Sequence, residues 1–155
     1  MANRLAVLAL LIAAPLRAQL TPTEQEISSY VPAHVEDGIE LIADQVRIGS
    51  GTQNFEGIRR MYDLLAPELE AMGFDVRWVP QEHVGRAGHL VAERTGDVGR
   101  SVLLIGHLDT VDEGEGWFER DGMTGRGPGS NDMKGGNAAI ILALRALQHA
   151  GALGD

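Results

Sequence analysis

The sequence predicts an α/β domain on three observations. Apolar residues recur at helical spacing over residues 32–46 and again over 54–72. Strand patterns follow at 74–80, 88–94 and 101–108. The last of these runs through a glycine-rich loop into a third apolar helix, a strand–loop–helix unit. Helices, strands and then such a unit fit a layered α/β arrangement.

Each element has its own justification. Residues 19–30 (QLTPTEQEISSY) are polar and read as a loose lead-in or a short helix. From Pro32, a residue suited to a first helical turn, Val35, Ile39, Ile42 and Val46 fall on one face. The turn residues GSGTQN break this pattern, and Asn54 can cap a second helix. Phe55, Ile58, Leu65, Leu69 and Met72 form its apolar face, with Pro67 expected to kink it and Gly73 to stop it. FDVRWVP then alternates Phe74, Val76 and Trp78 with Asp75 and Arg77, a strand with one covered face. GHLVAER reads as a second strand. SVLLIGHL is a continuous apolar run, the pattern of a strand buried on both faces. The third helix spans about Met133 to Gln148 and is apolar almost all round, so it should pack on the sheet.

Composition bounds the function. The first residues combine a basic start (MANR), an apolar core (LAVLALLIAA) and a small residue for cleavage at Ala18. That order predicts a signal peptide over residues 1–18, a mature portion over 19–155, and a periplasmic or secreted location. The alternative is an ordinary buried helix; the apolar core is shorter than the roughly 20 residues that span a bilayer. Cleavage would remove Arg4 and Arg17 and deepen a formal charge that is already −9. Such a surface disfavours nucleic acid and, once the leader is removed, anionic membrane. With no cysteine, the chain has neither a disulfide framework nor a site for a lipid anchor through that residue.

The chemistry concentrates at LLIGHLDTV and GRGPGSNDMKGGN. Residues two apart on a strand share a face, about 6.6 Å apart along the chain, so His107 and Asp109 would point together. Ligands in open α/β sheets bind beyond the carboxyl ends of strands, where His107 stands. An imidazole there can ligate a metal, and a carboxylate on its other nitrogen fixes the tautomer. Asp132 lies at the mouth of the third helix and could bridge two cations about 3.5–4 Å apart. Gly135 and Gly136 cost roughly 1 kcal/mol each relative to Ala in a helix, which implies a need for close packing or free amides there.

These two segments together resemble the zinc-dependent exopeptidase family of glutamate carboxypeptidase, acetylornithine deacetylase, succinyl-diaminopimelate desuccinylase and aminoacylase. The GPG..D.KGGN form is most similar to the glutamate carboxypeptidase branch, and the likeness extends back through GSGTQNFEGIRR and LEAMGFDVRWVP. The resemblance implies the N-terminal part of a three-layer α/β/α catalytic domain with a mostly parallel mixed sheet. It implies a two-zinc hydrolase, with cobalt or manganese as substitutes, cleaving an amide bond next to a free carboxylate in a small peptide or N-acyl amino acid. His107 matches a zinc ligand, Asp109 the catalytic-site aspartate that orients it, and Asp132 the bridging aspartate. The family's general base, its remaining ligands and its lid and dimerisation domain, which would make a full-length form a homodimer, have no counterpart here. Asp155 is the only acid after Asp132, and His149 does not match the distal ligand. The expectation is therefore a front portion of a longer enzyme, inactive by itself; the alternative is a non-catalytic relative that acts as a binding module. The segment between the two motifs is shorter than in the family.

Other readings of the same residues are weaker. Asp132 could cap the third helix. The glycine loop is no P-loop, because Met133 rather than Gly precedes Lys134, and it breaks the dinucleotide fingerprint at Asp132. Lys134 reads either as a solvated lysine at the helix start or as an attractor of a substrate carboxylate. Trp117 and Phe118 either line a cleft or plug the loop. His34, His83, His89 and His149 lack ligand-spaced partners and read as surface or packing residues.

Overall fold

The computed structural model describes residues 19–97 and 99–153. The expected signal peptide lies outside the described residues. Among the described residues no helix is long and apolar enough to cross a membrane.

Four helices and two hairpins make up the described chain. Helix α1 (Pro22–Ala33) opens on a capping box, in which the Thr21 hydroxyl accepts from the Glu24 amide while the Glu24 carboxylate accepts from the Thr21 amide. The polar lead-in is thus a full helix, and Pro32 stands in its last turn, not in the first turn of the next helix as expected. Helix α2 (Val35–Val46) follows after a single residue, His34; it buries Gly38, Leu41, Ala43, Gln45 and Val46, whereas Val35, Ile39 and Ile42 of the expected face are only half-buried. Helix α3 (Phe55–Glu70) is capped by Asn54, whose side chain accepts from the Gly57 amide at 2.9 Å. It runs through Pro67 to Glu70, and Gly73 takes a left-handed φ of 80° as the chain turns.

Strands β1 (Asp75–Pro80) and β2 (Gly88–Glu93) pair antiparallel with Trp78 opposite Leu90. Phe74 and Val76 turn toward the core, as the alternation predicted, and Leu90 and Ala92 of β2 join them. A second, short hairpin joins β3 (Glu119–Asp121) to β4 (Thr124–Arg126). It is tied to α2 by the Arg120 guanidinium, which donates to both Glu36 oxygens at 2.7 and 2.9 Å. Helix α4 (Gly135–His149) enters from a π-turn over Ser130–Lys134. It packs on α1 and α2, and Arg145 pairs with Glu68 of α3. His34 stacks on Tyr30 at 3.8 Å, and His149 approaches the same ring at 5.0 Å. Both histidines are packing residues, as expected.

The core lies between α2, α3 and α4: Leu41, Met61, Leu65, Leu69, Ile141 and Leu144, with Ile48 and Met72 at the helix exits. The α/β class holds. The continuous run at Val102–Ile105 does not become a strand, however. Its four side chains are between 53% and 81% exposed, and no ladder forms along it. The reason is pairing. The β1–β2 hairpin bonds only to itself, and the parallel component of the sheet is reduced to an isolated bridge between Gly51 and Thr110. An apolar run of this kind is stable as a strand only between two neighbours that cover its edges and faces.

This contrast generates a test. Met61 is fully buried, so Met61→Ala should cost about 2–5 kcal/mol in denaturant unfolding. Leu103→Lys with Ile105→Lys should leave unfolding within about 0.5 kcal/mol of the parent and lower both dye binding and self-association, because those side chains are already exposed. A core-sized loss from the lysine pair would show that the run is packed.

Candidate metal-binding site

Three chain segments meet at His107. The first is the run that ends in His107 itself. Its backbone carbonyl accepts from Asn137 Nδ2 at 2.9 Å, so the first turn of α4 holds the histidine's main chain. The second is the π-turn carrying Asp132. This residue has φ −125° and ψ 93°, outside the helical region, and its peptide bond to Met133 is cis. The capping alternative for Asp132 therefore fails: the residue preceding α4 is Lys134, and no side chain caps the helix. The third is the turn between α2 and α3, where Thr52 Oγ1 donates to Asp109 Oδ2 at 2.7 Å.

Glycines allow this approach. Gly129 has φ +69°, and a Cβ there would lie 2.3 Å from the Thr110 methyl. A Cβ on Gly135 would lie 2.7 Å from the Ser130 carbonyl oxygen, which is the close packing that a glycine at a helix start implies.

The geometry brings the two expected ligands together. His107 Nε2 lies 2.9 Å from Asp132 Oδ1. Nδ1, on the other side of the ring, lies 2.8 Å from the Asp109 carbonyl oxygen and 3.4 Å from Asp109 Oδ1. A carbonyl only accepts, so Nδ1 carries a proton. The orienting role expected of the Asp109 carboxylate falls first to its main chain, with the carboxylate behind. The strand does not extend this far, and the backbone turns the carbonyl, not the side chain, toward the ring.

The donor set fits a divalent cation at one edge. The Asp132 carboxylate likewise only accepts, so in the metal-free protein the 2.9 Å contact is made by an Nε2 proton; a divalent cation would displace that proton and take the Nε2 lone pair beside the carboxylate oxygen. Asp132 is 78% exposed, and its Oδ2 takes no hydrogen bond among the described residues. Among the described residues no group of three or more His, Cys, Asp or Glu could hold a metal ion. A hollow of about 410 Å³ lined by Arg47, Asn54, Arg60 and Glu113 contains none of the three site residues.

Lys134 is placed differently from either sequence reading. It is 1% exposed, and Nζ donates to the Ile48 carbonyl at 2.8 Å. Burial lowers its pKa to about 8, partly opposed by the Asp112 carboxylate. It is neither solvated nor available to a substrate.

Comparison with known proteins bears on these same residues. Residues 103–154 match the model of Peptidase family M20/M25/M40. That segment of the chain is thus similar to the M20/M25/M40 peptidases. The chain is 32% identical over 117 residues to carboxypeptidase G2 of Pseudomonas sp. (strain RS-16), covering 73% of this chain and 28% of that protein. It is 35% identical over 126 residues to succinyl-diaminopimelate desuccinylase of Acidiphilium cryptum (strain JF-5), covering 76% and 32%. It is 33% identical over 122 residues to acetylornithine deacetylase of Proteus mirabilis (strain HI4320), covering 74% and 31%. The chain thus spans about a third of the length of the curated relatives it matches.

Sequence reasoning missed Thr52, Asn137 and the burial of Lys134. The first two act across 57 and 30 residues of chain, beyond any local pattern.

The charge state of His107 is testable. Burial disfavours its imidazolium, but the Asp132 carboxylate, the Asp109 carbonyl and both aspartate charges outweigh burial and raise its pKa above 6.5. A raised pKa adds stability that is fully present below the ordinary histidine value and is lost as pH rises through the folded value. In metal-free protein, nuclear magnetic resonance titration should place the His107 midpoint above 6.5, and Asp132→Asn should lower it. A midpoint at or below the ordinary value would contradict the pairing.

Proposed function

We propose that this chain contributes the first two metal ligands of a metal-dependent hydrolase of the carboxypeptidase or amino-acid deacylase type. Its substrate would be a small peptide or N-acyl amino acid, cleaved at the amide bond adjacent to a free carboxylate. The observation that carries this reading is the 2.9 Å approach of His107 Nε2 to Asp132 Oδ1, made by two residues inside the family-matched segment 103–154. The names of the relatives, a carboxypeptidase, a desuccinylase and a deacetylase, support the substrate class.

His107 and Asp132 would hold zinc, with Asp132 shared between two ions and cobalt or manganese as substitutes. Bound zinc supplies a Lewis acid and brings the pKa of the water it carries down to about 7. The chain's own residues prepare the ligands. The Asp109 carbonyl keeps the proton on His107 Nδ1, so that Nε2 would give its lone pair to a bound cation. Asn137 holds the His107 main chain, and the π-turn sets Asp132 beside the ring. A catalytic zinc site takes three protein ligands, whereas the described residues bring together two. On this reading the remaining ligands and the general base come from outside them.

The test is a zinc titration of the full chain by calorimetry, paired with a hydrolysis assay on C-terminal glutamyl peptides and N-acyl amino acids. Weak binding is expected, lost in both His107→Ala and Asp132→Ala, with no turnover by this chain alone. No binding at all would favour a non-catalytic relative. Tight uptake of two ions, or turnover, would show a site complete within this chain.

A further inference from the structure

We propose that Thr52 is a positioning residue for the His107 imidazole, acting through the Asp109 carboxylate; the inference deepens the metal-site reading above and rests on it.

The turn that carries Thr52 is fixed from two sides. The Thr52 amide donates to the Thr110 carbonyl at 3.1 Å, and the Thr110 amide donates to the Ser50 carbonyl at 2.9 Å. Gly51 and Thr110 form a parallel bridge, and the Asn54 amide closes the turn onto Gly51 O at 2.8 Å. The Thr52 backbone is therefore in register with the residue that follows Asp109, although the two lie on distant parts of the chain. This leaves the hydroxyl with a defined task. It has one proton and two acceptors in range, Asp109 Oδ2 at 2.7 Å and Thr110 O at 3.3 Å. The nearer acceptor is an ionised oxygen, and charge-assisted bonds are the stronger kind.

Holding Oδ2 fixes the plane of the carboxylate, because the terminal torsion of an aspartate is otherwise broad and two-fold. With that plane fixed, Oδ1 stays on the Nδ1 side of His107, at 3.4 Å. The ring then has a carbonyl and a carboxylate oxygen against Nδ1, and the Asp132 carboxylate oxygen against Nε2 at 2.9 Å. The two Asp109 acceptors retain the Nδ1 proton, so that Nε2 is the nitrogen that gives up its proton to a cation, the form a metal requires. A threonine that only closed its turn would do so through its main chain and would not need the hydroxyl.

The variants follow from this distinction. Thr52→Val keeps the shape and the main-chain bonds but removes the hydroxyl; Thr52→Ser keeps the hydroxyl. Each is measured in the full chain by zinc competition against a chromophoric chelator. Each is also measured by the ¹⁵N pattern of the His107 ring in zinc-free protein above its titration range, with unfolding curves alongside. Thr52→Val should weaken zinc binding roughly tenfold, the low end of the loss on removing an outer-shell partner, and should raise the fraction of rings protonated on Nε2. Thr52→Ser should restore both. In an Asp109→Ala background, Thr52→Val should add no further loss. If Thr52→Val matches the parent in both readouts, or Thr52→Ser is as impaired as Thr52→Val, the proposal is overturned. If the parent chain binds no zinc, the metal-site reading fails, and the ring tautomer still decides the role of Thr52.

Discussion

The Lys134 ammonium sits against the Ile48 carbonyl with almost no exposure, and the surrounding site takes its shape from that contact. It joins the chain leaving α2 to the turn entering α4. The segment from Ile48 leads directly to Thr52, and the segment before Lys134 contains Asp132. One buried donor therefore sets the spacing between the turn that steers Asp109 and the turn that supplies a ligand. Burying an amine is costly, and the lowering of its pKa to about 8 reflects that cost. Asn137, three residues further along, adds a second tie, from α4 to the His107 main chain. His107 and Asp132 approach each other because both hang from the same helix entrance.

Much of this scaffold was legible from local pattern. The Asn54 cap of α3 and the alternation of β1 are short-range signals, and each appears where it was expected; α2 forms too, but its buried face centres on Leu41 and Gln45 rather than on Ile39 and Ile42. Helix α1 was only half seen, although Thr21 and Glu24 carry a capping-box signature three residues apart. The β3–β4 hairpin was missed because three-residue strands leave almost no periodicity. Its position depends on Arg120 reaching Glu36 across 84 residues. Val102–Ile105 failed for a different reason. Its pattern states what the run needs, burial on both faces, but whether partners are present is a property of the tertiary structure, and the described residues provide none.

The site shows the same division. His107 and Asp132 could be named because two motifs flank them, and the structure brings them into hydrogen-bond range. Asp109 could be named too, but not that its carbonyl would come closer to the ring than its carboxylate. That outcome depends on backbone direction at a strand end that does not form. Lys134 read as a solvated residue because lysines at helix starts are usually solvated. Its burial follows from a π-turn and a non-helical Asp132, neither of which a hydropathy pattern reveals. Thr52 and Asn137 stand inside GSGTQN and KGGN, but nothing in those stretches says what they touch, and only the fold shows it.

The central claim is that His107 Nε2 and Asp132 Oδ1 form one edge of a divalent-cation site. Crystals of the full chain grown with zinc, with data collected on both sides of the zinc absorption edge, test it most directly. The account predicts an anomalous difference peak about 2.0–2.2 Å from both atoms, with His107 Nδ1 still facing the Asp109 carbonyl. A map with the two side chains turned apart and no anomalous peak between them would contradict it.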